Sequence, residues 1–364
     1  IYTYAWLARF RPHDGQVRWT DLSSVGTLTD TAKNAKERMN KHFENIVAQA
    51  TKADSYKKVE VVQELWSGYG QILRYETSNP QYASVIVKHI SFPKKQSHPT
   101  GWSGERSHKR KLKSYKVETE WYKNWAHRCS DQCRIPKCLT TEGNKREMLI
   151  VLEDLDCAGF SQRRRFVNEN EVQMGLHWLA NFHATFLNEA PDGLWKNGTY
   201  WHLDTRPDEL KALSDEKLRS AAGKIDQKLK RCRFKTFVHG DAKLANFCFA
   251  KDSEAIAAVD FQYVGGGCGM KDLAYFVGSC YGEDECRANE GDVLQYYFNA
   301  LQLALQEREK QVDFDALEAE WRQMYHYAWA DFHRFLKGWS PGSWRNSSYS
   351  EEVTAKVINE LGLA

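Results

Sequence analysis

His239-Gly240-Asp241-Ala242-Lys243-Leu244-Ala245-Asn246, followed by Val259-Asp260-Phe261-Gln262, holds side chains that could move a phosphoryl group. A γ-phosphoryl in transfer is held by a hard divalent cation that prefers oxygen donors, and Asn246 and Asp260 offer an amide and a carboxylate oxygen. A hydroxyl nucleophile needs an oriented carboxylate to accept its proton, and Asp241 supplies one. Taken singly, these residues could sit in any strand–turn–strand segment with surface carboxylates. Two linked elements in this order, with Asp260 fourteen positions after Asn246, make that reading the weaker one.

The rest of the chain bounds what such a site could belong to. Its 364 residues suffice for two lobes with a sizeable core, and 42% hydrophobic with 27% charged residues is the composition of a folded globular protein. No apolar run reaches the roughly eighteen residues of a membrane span, so no membrane partner is expected. Residues Ile1 to Phe10 lack the basic stretch and long apolar core of a signal peptide. Nine cysteines, scattered singly through apolar segments such as those of Cys248 and Cys280, favour reduced thiols in a cytoplasmic protein. Cys129, Cys133 and Cys138, near His127, lack a CxxC pair and read as core thiols rather than a zinc knuckle. A net charge of +3 is too small to argue for nucleic acid. Residues 94–113 carry seven Lys or Arg against one acid, Glu105. They read as a solvated basic loop, with attraction of an anionic nucleotide or substrate as the second reading.

The elements that must position the site follow from periodicity. Residues 1–55 show mixed signals, with a helix expected over 30–50 opened by Thr29 or Asp30 and no role assigned. Val59–Trp66, Gln71–Tyr75 and Tyr82–Ile90 read as strands, the last a β-branched run containing Lys88. Between the first two lies Ser67-Gly68-Tyr69-Gly70, a tight turn. Val117, Trp121, Tyr122 and Trp125 follow helical spacing, which sets Glu118 on or beside the buried stripe. Met148–Leu152 is a further strand. Beyond it helices are expected over 171–188, 208–231, 271–280, 290–309, 314–337 and 350–362, with His183 a hydrogen-bonded core residue. Phe234–Val238 enters the Asp241 loop, and 246–250 with 255–260 forms a hairpin. The expected fold is α+β: 1–55 an extension, 56–155 a β-rich lobe, 156–364 a mainly helical lobe.

This order of parts resembles a protein-kinase-like fold, and the five-position step from Asp241 to Asn246 matches the catalytic loop of protein kinases. More specifically, the chain resembles the aminoglycoside phosphotransferase and choline kinase superfamily, in which that loop reads His-Gly-Asp. Within it, Asp260-Phe261-Gln262, Gly269-Met-Lys-Asp272-Leu-Ala-Tyr-Phe276, Leu152-Glu-Asp-Leu155 with Gly159-Phe160, and Leu179-Ala-Asn-Phe-His-Ala184 resemble the ecdysteroid-kinase-like branch. The resemblance runs over about residues 59–340.

It implies ATP and Mg²⁺ as cofactors, with Asp241 as base and Asn246 and Asp260 as metal ligands. It implies further that Lys88 grips the α- and β-phosphates, paired with Glu118. Glu120, the competing partner, is rotated by roughly 200° on the helix. Gly68 and Gly70 would let backbone amides approach the phosphates, and Glu153, Asp154 and Leu155 would meet the adenine edge. Lys243 would steady the γ-phosphate, Asp272 would brace the catalytic loop, and His239 would pack and hydrogen-bond rather than act as a base. Gln262 stands where several relatives have an acid or glycine, and Gly265-Gly266-Gly267 adds freedom just after Asp260.

The expected activity is therefore transfer of the γ-phosphate of ATP to a hydroxyl of a small molecule. The acceptor stays open between a choline-like cation, a sterol-like alcohol, a sugar and another alcohol. The aromatic tail could cage a quaternary ammonium or line an apolar pocket. Most of Trp321, Tyr325, Tyr327, Trp329, Phe332 and Phe335 read as core, with Trp339 and Trp344 open. No dense acidic cluster suits a polycationic aminoglycoside. A nucleotide-binding scaffold without chemistry would predict loss of Lys88, Asp241, Asn246 or Asp260, and all four are present. A protein kinase is disfavoured by the missing Ala-Pro-Glu and the short 261–271 segment. Oligomeric state is not read from the sequence.

Overall fold

The computed structural model describes residues 45–65, 68–92, 104–144, 147–251, 254–343 and 346–363. The helix expected over 30–50 falls mostly outside them, although residues 45–51 are helical. The described chain forms two compact units. The smaller comprises the residues up to Ser91 together with Leu139–Asp154, and the larger Phe92–Cys138 with Leu155 onward. The first is mainly sheet and the second mainly helix, which is the α+β organisation expected from the sequence.

Five strands build the smaller unit: β1 (Tyr56–Glu64), β2 (Gly70–Thr77), β3 (Ser84–Ser91), β4 (Cys138–Gly143) and β5 (Glu147–Glu153). They lie in the order β1-β2-β3-β5-β4. Alternation sends Val85 and Val87 of β3 to one face, where they meet Leu73, Tyr75, Leu149 and Val151 and the helical residues Ile46 and Val47. Lys88 projects to the opposite face, between Ile72 of β2 and Ile150 of β5 in the register, and is buried. Gly70 opens β2 because its φ of +129° and the His89 carbonyl, 2.0 Å from an added Cβ, leave no room for a side chain.

The larger unit opens with the Gly104–Asn124 helix, so the basic stretch expected as a loop is helical from Gly104. Its inner face is apolar enough to order it, with Tyr115, Val117, Trp121 and Tyr122 buried and only part of the charge left to solvent. Residues 94–103 of that stretch lie outside the described residues. Asn168 and Glu171 form a capping box that starts the Glu169–Thr185 helix, and Asp313 caps the Phe314–Trp339 helix. The helix expected over 208–231 is two, Pro207–Ala212 and Glu216–Lys230, because the Asp215 side chain accepts the Leu218 N–H and starts a new helix.

Two short strand pairs carry the loop of interest. β6 (Thr236–Val238) pairs with β9 (Gly265–Gly267), and β7 (Phe247–Phe249) pairs with β8 (Ile256–Ala258), the expected hairpin. An aromatic slab lies beneath them: Trp121 stacks on Phe261 at 4.7 Å, Trp178 on Phe182 at 5.0 Å and Phe186 on Phe237 at 4.8 Å. Trp321, Tyr325, Tyr327, Trp329 and Phe335 are core, as expected. Trp339 stays 37% exposed, and Trp344 is outside the described residues.

The triple glycine after Asp260 is the opposite of a free segment. A Cβ on Gly265 would stand 2.1 Å from the Trp195 carbonyl, since the 195 backbone runs directly against β9. Gly265→Ala is therefore expected to cost about 1–3 kcal/mol of unfolding free energy in urea titration. Gly223→Ala, in a helix with nothing within 4 Å of the new methyl, should instead stabilise by about 0.5–1 kcal/mol. Equal effects at the two positions would contradict this packing.

Candidate active site

β6 delivers the chain to His239 and Gly240, where it turns sharply. Gly240 has φ +79°, and an added Cβ would meet the Tyr263 carbonyl at 2.2 Å, so only glycine fits. The turn is held by Asp272, whose Oδ1 accepts the Gly240 N–H at 2.9 Å and whose Oδ2 accepts the His239 N–H. His183, as expected a core histidine, reaches Asp272 Oδ2 at 3.3 Å and the Tyr297 hydroxyl at 2.7 Å. The His239 ring is occupied too: Nδ1 accepts the Asp241 N–H at 3.2 Å, which leaves Nε2 to donate to the Val259 carbonyl at 3.0 Å. It is a fastener of the loop and not a base.

Asp241 is buried, with its two oxygens treated differently. Oδ2 accepts Lys243 Nζ at 3.0 Å and Asn246 Nδ2 at 3.0 Å, while Oδ1 has no hydrogen-bond partner among the described residues. Burial pushes the Asp241 carboxyl above its ordinary value and Asp260 adds to this, while Lys243 pulls the other way. For Lys243 burial opposes the charged form, but Asp241, Tyr200 and Asp260 outweigh it and hold the ammonium above its usual range.

Asn246 closes the loop in the same manner. Its Nδ2 donates to the Asp241 carbonyl at 2.7 Å as well as to the carboxylate, so its Oδ1 faces away, buried and without a partner among the described residues. The Val259 N–H bonds the Asn246 carbonyl at 2.9 Å, which ties Asn246 to the strand leading into Asp260. Asp260 has φ +72°, a left-handed conformation that costs a non-glycine residue about 1–2 kcal/mol. It is kept there by Phe261, stacked on Trp121, and by Gln262, whose Nε2 donates to Asp260 Oδ1 at 2.7 Å.

Asp241, Lys243, Asn246 and Asp260 are thus brought together in the larger unit. An orphaned amide oxygen beside carboxylates is the oxygen donor set that a hard divalent cation takes. Among the described residues no three His, Cys, Asp or Glu cluster as metal ligands, so Mg²⁺ held by Asn246 and Asp260 would fill its shell with water and phosphate oxygens.

Of the other expected site residues, Glu118 is buried on the Gly104–Asn124 helix and Leu155 packs with Cys248 and Ala257 in the larger unit. Lys88, Gly68, Gly70, Glu153 and Asp154 lie in the smaller one. There the buried Asp154 carboxylate accepts Arg74 Nε at 2.7 Å and Ser84 Oγ at 2.6 Å, which engages the side chain in holding β2 and β3. Gly68 has φ +74° with open space around it.

Two participants escaped sequence reading. Tyr200 lies within electrostatic reach of Asp241 and Lys243, with its phenol pushed well up by burial and by Tyr275. Its hydroxyl bonds that of Tyr275 at 3.2 Å, and the rings of Tyr263, Trp201 and Phe335 surround it. No periodicity marks the segment around it. Gln262 registers in the sequence as part of the Asp260-Phe261-Gln262 motif and as a departure from several relatives, but its hold on Asp260 does not.

The family follows from the comparisons. The model of the ecdysteroid kinase-like family matches residues 72–192 and 196–309, and the chain belongs to that family. No curated protein matches it. Among solved structures it is similar to the amicoumacin kinase hAmiN in complex with AMP-PNP, Ca²⁺ and Ami, at 14% identity and TM-score 0.49 over 90% of this chain and 95% of that one. It is also similar to an aminoglycoside-3'-phosphotransferase of type VIII, at 15% identity and TM-score 0.42 over 78% and 97% of the two chains. A third is the aminoglycoside phosphotransferase APH(3'')-Id from Streptomyces rimosus, at 13% identity and TM-score 0.36 over 79% and 98%. Among the described residues no helix is long and apolar enough to cross a membrane.

Replacing Asp272 tests the brace. Asp272→Asn keeps the shape but opposes an amide N–H₂ to one of the two loop N–H groups. It is expected to cost about 1–3 kcal/mol and to speed hydrogen exchange of the Gly240 amide. Unchanged exchange would remove Asp272 from this role.

Proposed function

We propose that the chain transfers the γ-phosphoryl group of ATP, bound with Mg²⁺, to a hydroxyl of a small molecule. The observation that carries this reading is the division of labour on Asp241. One oxygen is fixed by Lys243 and Asn246, and the other is buried and lacks a partner among the described residues. A carboxylate oriented by two donors and offering one acceptor oxygen suits the proton of an attacking hydroxyl. Its raised proton affinity strengthens it as a base without a second catalytic group.

The remaining residues take roles that support this step. Asn246 Oδ1 and the Asp260 carboxylate hold Mg²⁺, which supplies charge neutralisation at the β- and γ-phosphates. Lys243 keeps Asp241 oriented and places a positive charge where the γ-phosphoryl carries its negative charge. Lys88, a buried cation in β3, is assigned to the α- and β-phosphates. Tyr200 and its ring neighbours, near Asp241, give the acceptor an aromatic surface. Family membership supports the reaction class and leaves the acceptor to experiment.

ATP consumption against a panel of choline, ethanolamine, sugars, aminoglycosides and sterols tests the proposal. Turnover with one class is expected, and Asp260→Ala should abolish this metal-dependent turnover. Asp241→Asn should lower turnover by about 10²–10⁴ while ATP binding persists. An Asp241→Asn enzyme as fast as the wild type would remove Asp241 as the base. A wild-type protein that binds no ATP would sink the whole reading.

A further inference from the structure

The Asp260 carboxylate is reached through Gln262 by a chain of contacts that begins at Lys111, 151 positions before Gln262 in sequence. Lys111, on the Gly104–Asn124 helix, donates from Nζ to Gln262 Oε1 at 2.8 Å. Ser114, one turn further along the same helix, approaches the same oxygen at 3.2 Å. On the other side of the amide, Gln262 Nε2 donates to Asp260 Oδ1 at 2.7 Å. The direction of the amide is fixed by chemistry. An ammonium can only donate and a carboxylate can only accept, so Oε1 must face Lys111 and N–H₂ must face Asp260.

The rest of Gln262 is equally constrained. Its carbonyl accepts Trp195 Nε1 at 2.9 Å, and Lys113 lies over the Trp195 ring at 4.3 Å. The residue is 1% exposed. Trp121 of the same helix stacks on the intervening Phe261. One helix therefore grips both residues that follow Asp260, by a ring on Phe261 and by a cation on Gln262.

We infer that Lys111 is a positioning residue for the metal site, acting through Gln262 to hold the Asp260 carboxylate in the orientation that takes the cation. This rests on the function proposed above. The physical reason is polarisation and selection. A cation on Oε1 strengthens the amide as a donor on its far side, and it removes the flipped amide, which would aim a carbonyl oxygen at Asp260. Without Lys111 only the longer Ser114 contact remains on Oε1, the flipped amide gains population, and Asp260, already in a left-handed backbone conformation, loses a bond that orients its side chain.

The test reads the gain in ADP affinity that Mn²⁺ confers, measured by titration calorimetry with and without the metal. Lys111→Met is expected to cut that gain about tenfold, the usual effect of losing a group that orients a ligand, with metal-free ADP affinity unchanged. Lys111→Arg, which keeps a donor to Oε1, should restore most of it. Gln262→Met should lose at least as much, and adding Lys111→Met to it should lose nothing further. A wild-type gain in Lys111→Met overturns the inference. So does an equal loss of metal-free affinity, which would make Lys111 a plain electrostatic attractor, or a further loss in the double variant. Absence of any Mn²⁺-dependent gain in the wild-type protein would instead overturn the metal-site reading, and Asp260→Ala marks that baseline.

Discussion

One buried carboxylate carries the architecture of the site. Asp272 is fully buried, and removing its charge from water would be costly without compensation. The compensation comes from two backbone N–H groups of the loop and from His183. Because those N–H groups belong to His239 and Gly240, satisfying the Asp272 charge and shaping the loop are the same event. The network extends through His183 to Tyr297, and through the His183 carbonyl to Thr236 at 2.7 Å. Helices Glu169–Thr185, Met270–Cys280 and Glu283–Glu307 are thereby fastened to the residue before Asp241. The loop that carries Asp241 and Asn246 is kept rigid from behind.

Rigidity on the other side comes from backbone packed against backbone. Gly240 and Gly265 are glycines because the Tyr263 and Trp195 carbonyls occupy the space a methyl would need. Trp195 then spends its indole N–H on the Gln262 carbonyl. The segment from 260 to 267 is therefore fixed in turn by an aromatic stack, a side-chain amide and a β-pair. Few conformations remain for Asp260, which is how it can hold an unfavourable φ.

Much of this was legible because it is local. Asp241, Lys243 and Asn246 lie within six residues, so their meeting in space needs only a turn. The strand of Lys88 was visible as a β-branched run, and the hairpin of β7 and β8 as two short pieces around Lys251-Asp252-Ser253-Glu254. The aromatic spacing of the Phe314–Trp339 helix announced its burial. What failed was non-local. Three consecutive glycines suggest freedom until Trp195, seventy positions earlier, is seen to press on them. The stretch from Gly104 to Lys113 looked like a charged loop because its apolar residues begin only near Tyr115, and the partners of Lys111 and Lys113 lie far along the chain. The break at Asp215 was a missed cap signal, since an Asp before Glu216 is a common helix start.

The pattern of charge also bears on the cation site proposed at Asn246 and Asp260. Asp241 is already matched by Lys243, and Asp260 is met by an amide where another acid could have stood. To the proposed metal the protein would bring the Asp260 carboxylate and one neutral amide oxygen. That is too little charge for a tight, permanent Mg²⁺ site built by protein alone, and Mg²⁺ gives up its water reluctantly. It fits an ion that arrives with phosphates and shares its positive charge between them and Asp260. Placing Gln262 rather than a carboxylate beside Asp260 then has a consequence. In the proposed site the protein would orient the ligand through a neutral group backed by Lys111, and leave the nucleotide to supply the remaining negative charge.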